Sequence, residues 1–221
     1  MTTEPQTKTK KRTMPKEVRR AQLIEATLAC IAELGISKTT MAAVTGRAGL
    51  SMGIVSLHFE SKDNLLNETL VHLSEEVRST WAEAVDAPDK SAAEKLRALS
   101  LSSFHPSIFD ATKLRVWFAF FGEAKSRAYY REMVSSYDNE RGHIAKALCA
   151  ELLQDYPEAS MSAEEISDAL EFFSDGIWLN AMLYPEYFKE GHAALQMEQM
   201  LAAYFPKHFQ LPLRPAPACT Q

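Results

Sequence analysis

Apolar residues along the chain recur at intervals of three and four, the spacing that places them on one face of an α-helix. Ala21, Ile24, Leu28, Ile31 and Leu34 form the first such face, which predicts a helix that ends at Leu34. The alternation of apolar and polar positions that is typical of half-buried strands is not found along the chain. The pattern therefore predicts an all-α fold of about nine helices.

Turn and cap residues divide the first part of this pattern into four helices. Gly35 is expected to end the first helix, and Thr40 is expected to cap a second, short one. Gly49 makes a turn, and Ser51 caps a third helix that is shorter still. Ser61 then caps a long fourth helix.

Capping boxes and breaks give the remaining helices. Ser91 and Ser162 each precede a glutamate by three positions, which predicts a helix start at both places. An aromatic-rich helix is predicted over 111–127, followed by a further helix to about residue 154. The final helix is expected to end near Phe205.

Charge is distributed unevenly along the chain. Residues 1–66 carry 10 Lys and Arg against 6 Asp and Glu, a net of +4, whereas the rest carries 14 against 23, a net of −9. Neutralisation of phosphates supplies most non-specific affinity for DNA, so a basic start that leads into a compact helical unit favours nucleic-acid binding. A solvated basic tail is the alternative.

Several classes of protein are disfavoured by what the sequence lacks. The three cysteines are far apart and form no C-x-x-C pair, which favours a reducing cytoplasm over a disulfide framework. No metal-ligand spacing of histidines and no G-x-S-x-G motif occurs, so we expect no metal, no cofactor and no enzymatic activity. The most apolar run, 116–121, is far below the ~20 residues of a membrane span, and we predict a cytoplasmic protein without membrane contact.

The second and third helices, joined by a turn that contains Gly49, describe a helix-turn-helix. The second helix of that motif enters the major groove of DNA. Gly53 agrees with this interpretation, because glycine in a helix costs roughly 1 kcal/mol relative to alanine. We infer that the close approach of another surface is the reason for glycine at this position.

Residues 40–66 resemble the DNA-binding signature of TetR-type repressors. They contain T-x-x-x-V-x-x-x-A-G-L-S-x-G-I-V-x-x-H-F-x-x-K-x-x-L-L, with Gly, His, Phe and Lys at the spacing of that family. Thr45 stands where alanine is usual, and Ser56 stands where tyrosine is common. The segment G-L-S-M-G-I-V-S is similar to the choline-responsive BetI-type branch, and so, more loosely, are 116–121 and 174–179.

The resemblance implies a dimeric repressor with a helical domain that binds a small molecule and dimerises. It divides the chain into a basic disordered arm over 1–14 and a helix-turn-helix DNA-binding domain over 15–61. A ligand-binding and dimerisation domain follows over 62–206, with a disordered tail over 207–221.

The residues expected at the DNA lie at the start of the second helix, on the third helix and just beyond it. These side chains include few strong hydrogen-bonding groups, so contacts with thymine methyls and DNA shape are expected to contribute to specificity. Packing inside the protein is the alternative for Met52 and Leu57, and a solvated tail is the alternative for Arg12. The predicted DNA-binding residues are Arg12, Thr39, Thr40, Ser51, Met52, Gly53, Ser56, Leu57, His58 and Lys62.

Aromatic residues in the second half of the chain are individually good core residues, and together they could frame a small cavity. The BetI-type resemblance implies choline or a related quaternary ammonium, which aromatic faces and a carboxylate bind well. A structural hydrogen bond is the alternative role for Asp175. The predicted ligand-binding residues are Phe104, Trp117, Phe121, Glu123, Tyr137, Asp175 and Trp178.

The last two helices either close the core of the chain or, as the resemblance implies, form a dimeric four-helix bundle. A palindromic operator is read by two copies related by a two-fold axis. The predicted interface residues are Leu170, Phe173, Ile177, Met197, Met200, Leu201 and Tyr204. Two alternatives remain open: a TetR-type regulator of an unrelated small molecule, and a helical protein–protein adaptor that does not bind DNA.

Overall fold

The computed structural model describes residues 15–122, 124–189 and 191–210, apart from the side chains of 124–131 and 133–138. These residues form nine α-helices and no β-strand, which confirms the all-α prediction. The helices are α1 Lys16–Leu34, α2 Met41–Ala48, α3 Met52–His58, α4 Lys62–Asp86, α5 Ala92–Ser102, α6 Ala111–Gly122, α7 Ala124–Leu152, α8 Ala163–Leu183 and α9 His192–Tyr204. None of the described helices combines the length and apolar character that a bilayer crossing requires.

Side-chain caps begin four of these helices, as the sequence predicts. The hydroxyls of Thr40 and Ser61 accept hydrogen bonds from the amide three residues further on, at 3.1 and 3.0 Å. Ser91 and Ser162 do the same, and in both cases the glutamate at that position accepts from the serine amide, which completes a capping box. These bonds satisfy amides that the first turn of a helix would otherwise leave without partners.

The aromatic-rich helix predicted over 111–127 corresponds to α6 and the start of α7, and residue 123 between them lies outside the described residues. Helix α6 ends at Gly122 and α7 begins at Ala124. The folded chain also continues beyond the predicted domain boundary at 206, because Phe209 is buried in the core of the C-terminal helices. The predicted arm over 1–14 lies outside the described residues, as does the tail from 211 onward.

Two apolar cores organise the fold, and α4 contributes buried residues to both. The first core joins α1, α2, α3 and the start of α4 with Val116, Trp117 and Phe120 of α6. The second joins α5, α7, α8 and α9 with Trp81 near the end of α4. Helix α6 therefore packs directly against α1 of the helix-turn-helix unit.

Candidate functional site

Helices α2 and α3 form a helix-turn-helix whose geometry is held by the first core. The turn between them contains Gly49 in the left-handed region, at φ +64°, where glycine is favoured because it has no Cβ. Val44 of α2 and Val55 of α3 are completely buried. The opposite side of α3 is therefore presented in a defined orientation.

The outward side of α3 carries most of the predicted DNA contacts. Ser51, Met52, Gly53, Ser56 and Leu57 are all exposed. Met52 is 47% exposed and Leu57 is 73% exposed, which excludes the alternative that these two merely pack inside the chain. The hydroxyl of Ser51 makes no capping bond, although the residue occupies the N-cap position of α3.

None of the described residues explains the glycine at position 53. A Cβ built there would meet only the Oγ atom of Ser51, at 4.0 Å, and the φ angle lies outside the left-handed region. Alanine would therefore fit the protomer without strain. The free space around Gly53 agrees with the inference that a surface outside the protomer approaches α3 at this residue.

Two predicted DNA contacts take a different place in the structure. Thr39 is only 1% exposed, and its hydroxyl donates to the carbonyl of Gly35 at 2.8 Å, so it stabilises the turn after α1 and has no surface to offer DNA. The ammonium of Lys62 donates to the carbonyl oxygens of Ile36 and Ser37 at 2.8 and 3.3 Å. These hydrogen bonds differ from the predicted contact with a DNA phosphate, because the ammonium group binds carbonyl oxygens of the turn after α1.

The remaining predicted contacts differ in their accessibility. Thr40 is exposed, with its hydroxyl engaged as the cap of α2. His58 is half-buried against Phe59, and its Nδ1 atom is shielded without a hydrogen-bond partner in the described part of the chain. Arg12 lies outside the described residues. Lys38, which the sequence analysis did not select, is exposed in the turn before α2.

Ion pairs within the chain occupy some of the positive charge of this unit. Arg20 pairs with Glu68, and Arg47 pairs with Glu33. The hydrogen bond from Arg47 to Glu33 raises the pKa of that guanidinium. These two cations are therefore less available to phosphates than the charge count alone suggests.

A cavity of about 280 Å³ lies between α6 and α8. Phe121, Asp175 and Trp178, all predicted ligand residues, meet there. The indole of Trp178 is oriented by a hydrogen bond from its Nε1 to the carbonyl of Ser103, at 2.9 Å. The residues that line this cavity are Phe118, Phe121, Asp175, Gly176, Trp178 and Leu179.

Trp117 joins this cavity to the DNA-binding unit. Its ring lies 6.1 Å from the ring of Phe121 and 6.2 Å from that of Trp178, centroid to centroid. Trp117 is also buried in the first core, next to residues of α1. It therefore supports the cavity from behind and does not line it.

The other predicted ligand residues do not join this group. Phe104 packs edge-on against Phe109 at 5.5 Å and contacts the second core, so its prediction as a pocket residue is not supported by its position. Glu123 and the side chain of Tyr137 lie outside the described residues. The lining residues outside the predicted ligand set are Phe118, Gly176 and Leu179; the aromatic run of α6 and the helix-interior glycine were the available signals.

A larger open groove of about 500 Å³ lies between the segment 155–161 and the end of α9. It also offers an aromatic face, that of Tyr156. The ammonium of Lys207 already lies 4.8 Å from the centre of that ring. Because this face holds a cation of the protein itself, the cavity between α6 and α8 is the better candidate for a cationic ligand.

The predicted interface residues mostly face the interior of their own chain. Leu170, Ile177, Met197 and Leu201 are at most 5% exposed, so their side chains have almost no surface for a second copy. Phe173, Met200 and Tyr204 are half-buried against the second core. The outward apolar residues of α8 and α9 are instead Phe172, Leu179, Leu183 and Leu195.

Comparison with known families agrees with this architecture. A model of the tetR family of bacterial regulatory proteins matches residues 23–69, and one of the C-terminal part of BetI-type transcriptional repressors matches residues 92–206. The chain therefore belongs to the TetR family of helix-turn-helix transcriptional regulators, and it is not an enzyme. Within that family it is a BetI-type regulator.

Individual relatives give the same assignment. The HTH-type transcriptional regulator BetI of Burkholderia thailandensis is 36% identical over 174 residues, which cover 77% of this chain and 87% of the relative. A crystal structure of a transcriptional regulator from Pseudomonas aeruginosa superposes with a TM-score of 0.73 at 26% identity, covering 90% of this chain and 96% of the other. A regulator from Saccharomonospora viridis, crystallised in complex with choline, superposes with a TM-score of 0.67 at 18% identity, covering 88% and 98%.

Proposed function

We propose that this repressor is a dimer whose affinity for a palindromic operator is lowered by choline or a related quaternary ammonium. The observation that carries the proposal is the meeting of Phe121, Trp178 and Asp175 at one cavity. A quaternary ammonium has no N–H group to donate, so aromatic faces and a nearby carboxylate are its natural partners. The three side chains supply both.

The size of the cavity agrees with a small ligand. Pockets for drug-sized molecules hold about 300–1,000 Å³, and the cavity between α6 and α8 holds about 280 Å³. The choline complex of the Saccharomonospora viridis regulator, which has the same fold, supports the choice of ligand class. So does the BetI-type match over residues 92–206.

The DNA-binding half of the proposal rests on the exposed side of α3. Helix α3 has seven residues and is about 10 Å long, enough to read one half-site. Two copies would place their α3 helices in successive major grooves of a palindrome, about 34 Å apart. We expect a cytoplasmic protein whose operator lies near its own or neighbouring genes, with Arg12 of the basic arm in a minor groove or on phosphates.

Helix α6 provides the route from ligand to DNA. Trp117 packs against Phe121 and Trp178 on one side and contributes to the first core on the other. The ammonium of Lys113 also joins α6 to α4 by donating to both carboxylate oxygens of Glu76, at 2.5 and 2.6 Å. A ligand that shifts α6 would therefore move the helix-turn-helix, provided that it binds the two shapes with different affinity.

Thermal unfolding with candidate ligands tests the effector. Choline, betaine aldehyde and glycine betaine are added to the wild type and to variants Asp175→Asn and Trp178→Ala. At 100 times its Kd, a ligand of the native state stabilises by about 2.7 kcal/mol, roughly 5–10 °C for a chain of this size. The uncharged isostere dimethylbutanol is the control, because it has the shape of choline without the cation.

The outcomes separate the alternatives. A shift with choline that is lost in both variants supports the cation site. No shift with any of the three compounds contradicts it and favours a regulator of an unrelated small molecule. The adaptor alternative is tested by DNA affinity at several salt concentrations, since phosphate contacts give a steep decrease with salt and an adaptor gives no binding.

A further inference from the structure

Arg141 of α7 is a largely buried cation in the C-terminal part of the fold. Its side chain is 15% exposed, and its guanidinium pairs with the carboxylate of Glu171 on α8. The Nη2 atom of the same guanidinium donates to the hydroxyl of Ser103 at 3.1 Å. Ser103 directly follows α5, so one side chain connects α7 both to α8 and to the segment between α5 and α6.

Ser103 continues this connection to the cavity between α6 and α8. Its hydroxyl accepts from Arg141, and its backbone carbonyl accepts from the indole Nε1 of Trp178 at 2.9 Å. Ser103 is only 6% exposed, so little water competes for these bonds. Because Trp178 lines the cavity, two successive hydrogen bonds connect Arg141 to an aromatic side chain of the proposed effector site.

Stability alone is a poor reason for an arginine at position 141. Burying an ion pair removes water from both charges, and apolar side chains of similar size often replace such pairs without loss of stability. The Nε atom of Arg141 is also shielded without a hydrogen-bond partner among the described residues, which adds to the cost of burial. What the guanidinium supplies, and an apolar side chain cannot, is directed donors for Glu171 and Ser103 together.

We propose that Arg141 is a positioning residue for the effector: it fixes Ser103, and through Ser103 it fixes the orientation of the Trp178 indole at the cavity. This inference rests on the proposed function, because it concerns the same cavity. A cation is attracted to the face of an aromatic ring, so a ring that turns away loses the interaction even when the cavity stays open. The bond from Nε1 prevents that turn only while its acceptor, the carbonyl of Ser103, is itself held in place.

Two variants break the connection in different ways. Arg141→Met removes the donor and leaves the carboxylate of Glu171, which is 50% exposed and can be solvated. Ser103→Ala removes the hydroxyl, keeps the carbonyl that Trp178 uses and changes no charge. The control is Lys146→Met, because Lys146 also joins α7 to α8, by an ion pair with Glu164 at 3.0 Å, and neither residue of that pair lines the cavity.

The first test measures choline binding by calorimetry. We expect Arg141→Met and Ser103→Ala each to bind choline about three- to tenfold more weakly than the wild type, the effect of losing one hydrogen bond. The double variant should bind no more weakly than Arg141→Met, because both changes break the same connection. Lys146→Met should bind as the wild type does. If Arg141 acted only through its charge, its removal would strengthen the binding of a cation, and that result overturns the inference.

The second test follows the indole of Trp178 without ligand. The three tryptophans of the chain each give one indole N–H signal in the NMR spectrum of protein labelled with nitrogen-15 tryptophan, and Trp178→Phe identifies the signal of Trp178. We expect Arg141→Met and Ser103→Ala to shift this signal, and Lys146→Met to leave it unchanged. Helix content is followed by circular dichroism, and if Arg141→Met does not fold, Ser103→Ala decides the result.

The outcomes separate this inference from the proposed function. An unchanged Trp178 signal in Ser103→Ala, or wild-type choline affinity in that variant, overturns the inference and leaves the proposed function intact. Absence of choline binding by the wild type itself overturns the effector proposal and, with it, the role of Arg141 in binding.

Discussion

Replacing Gly53 with alanine should separate the stability of the protein from its affinity for DNA. The protomer has room for the added methyl, since only Ser51 Oγ lies as near as 4.0 Å to the new Cβ. Alanine is better than glycine in a helix by up to about 1 kcal/mol, and less near a terminus such as this one. We therefore expect Gly53→Ala to raise Tm, by no more than about 4 °C for a chain of this size.

The same methyl should weaken DNA binding. If the backbone of α3 approaches the DNA at Gly53, the methyl has to be accommodated in a packed interface, and overpacking of that kind costs about 1–3 kcal/mol. Because 1.4 kcal/mol corresponds to a tenfold change in Kd, the expected loss is roughly five- to 150-fold per inserted helix. The two effects have opposite signs, which a general loss of folding could not produce.

The assay combines thermal unfolding with fluorescence anisotropy on a labelled operator duplex. Gly142→Ala is the matched control, because Gly142 is an exposed glycine inside α7 with no atom within 4 Å of an added Cβ. It should raise Tm at least as much, because it lies inside a longer helix, and leave DNA affinity unchanged. If Gly53→Ala binds DNA with wild-type affinity, the DNA does not approach α3 closely at this position. If Gly53→Ala has a lower Tm than the wild type, the fold of the protomer itself needs the glycine.

Three further predictions concern the effector site, a helix cap and a buried thiol. Asp175→Asn should weaken choline binding about tenfold in calorimetry while the ligand-free protein keeps its DNA affinity; equal choline affinity would remove the carboxylate from the site. The hydrogen bonds from Ser162 lower the pKa of Glu165 below its ordinary 4.5, so Glu165→Gln should lower Tm at neutral pH. That difference should shrink as pH falls below about 4.5 and Glu165 becomes protonated, whereas a pH-independent difference would contradict the charge argument. Burial raises the pKa of Cys149 to about 12, so its thiol should be inert to a disulfide reagent at pH 8 in the native protein and reactive in urea; rapid native labelling would contradict its burial.

Local signals in the sequence were sufficient for the helices and for the DNA-binding unit. The caps at Thr40, Ser61, Ser91 and Ser162 depend on residues three positions apart, whereas the predicted cap at Ser51 makes no side-chain bond. The helix-turn-helix is likewise built from neighbouring residues. Both were predicted because their signals are local, although the first core holds α2 and α3 in place.

Burial depends on contacts between distant segments, and there the predictions were less complete. Thr39 and Thr40 are adjacent threonines that the sequence alone does not distinguish, yet the first is buried under the turn after α1 and the second is exposed. On α8 the predicted interface included Leu170 and Ile177, which face the interior, whereas Phe172 and Leu179 face outward. The orientation of a helix with apolar residues on both sides is decided by its neighbours, which a single-helix pattern does not contain.

We propose that a small cation bound between α6 and α8 controls the DNA affinity of α3. The most direct measurement is the Kd for operator DNA of the wild type with and without saturating choline, at one salt concentration, alongside Asp175→Asn. We predict at least tenfold weaker DNA binding in choline for the wild type and a markedly smaller effect for the variant. An operator Kd that choline leaves unchanged, in a protein that binds choline, would contradict the claim.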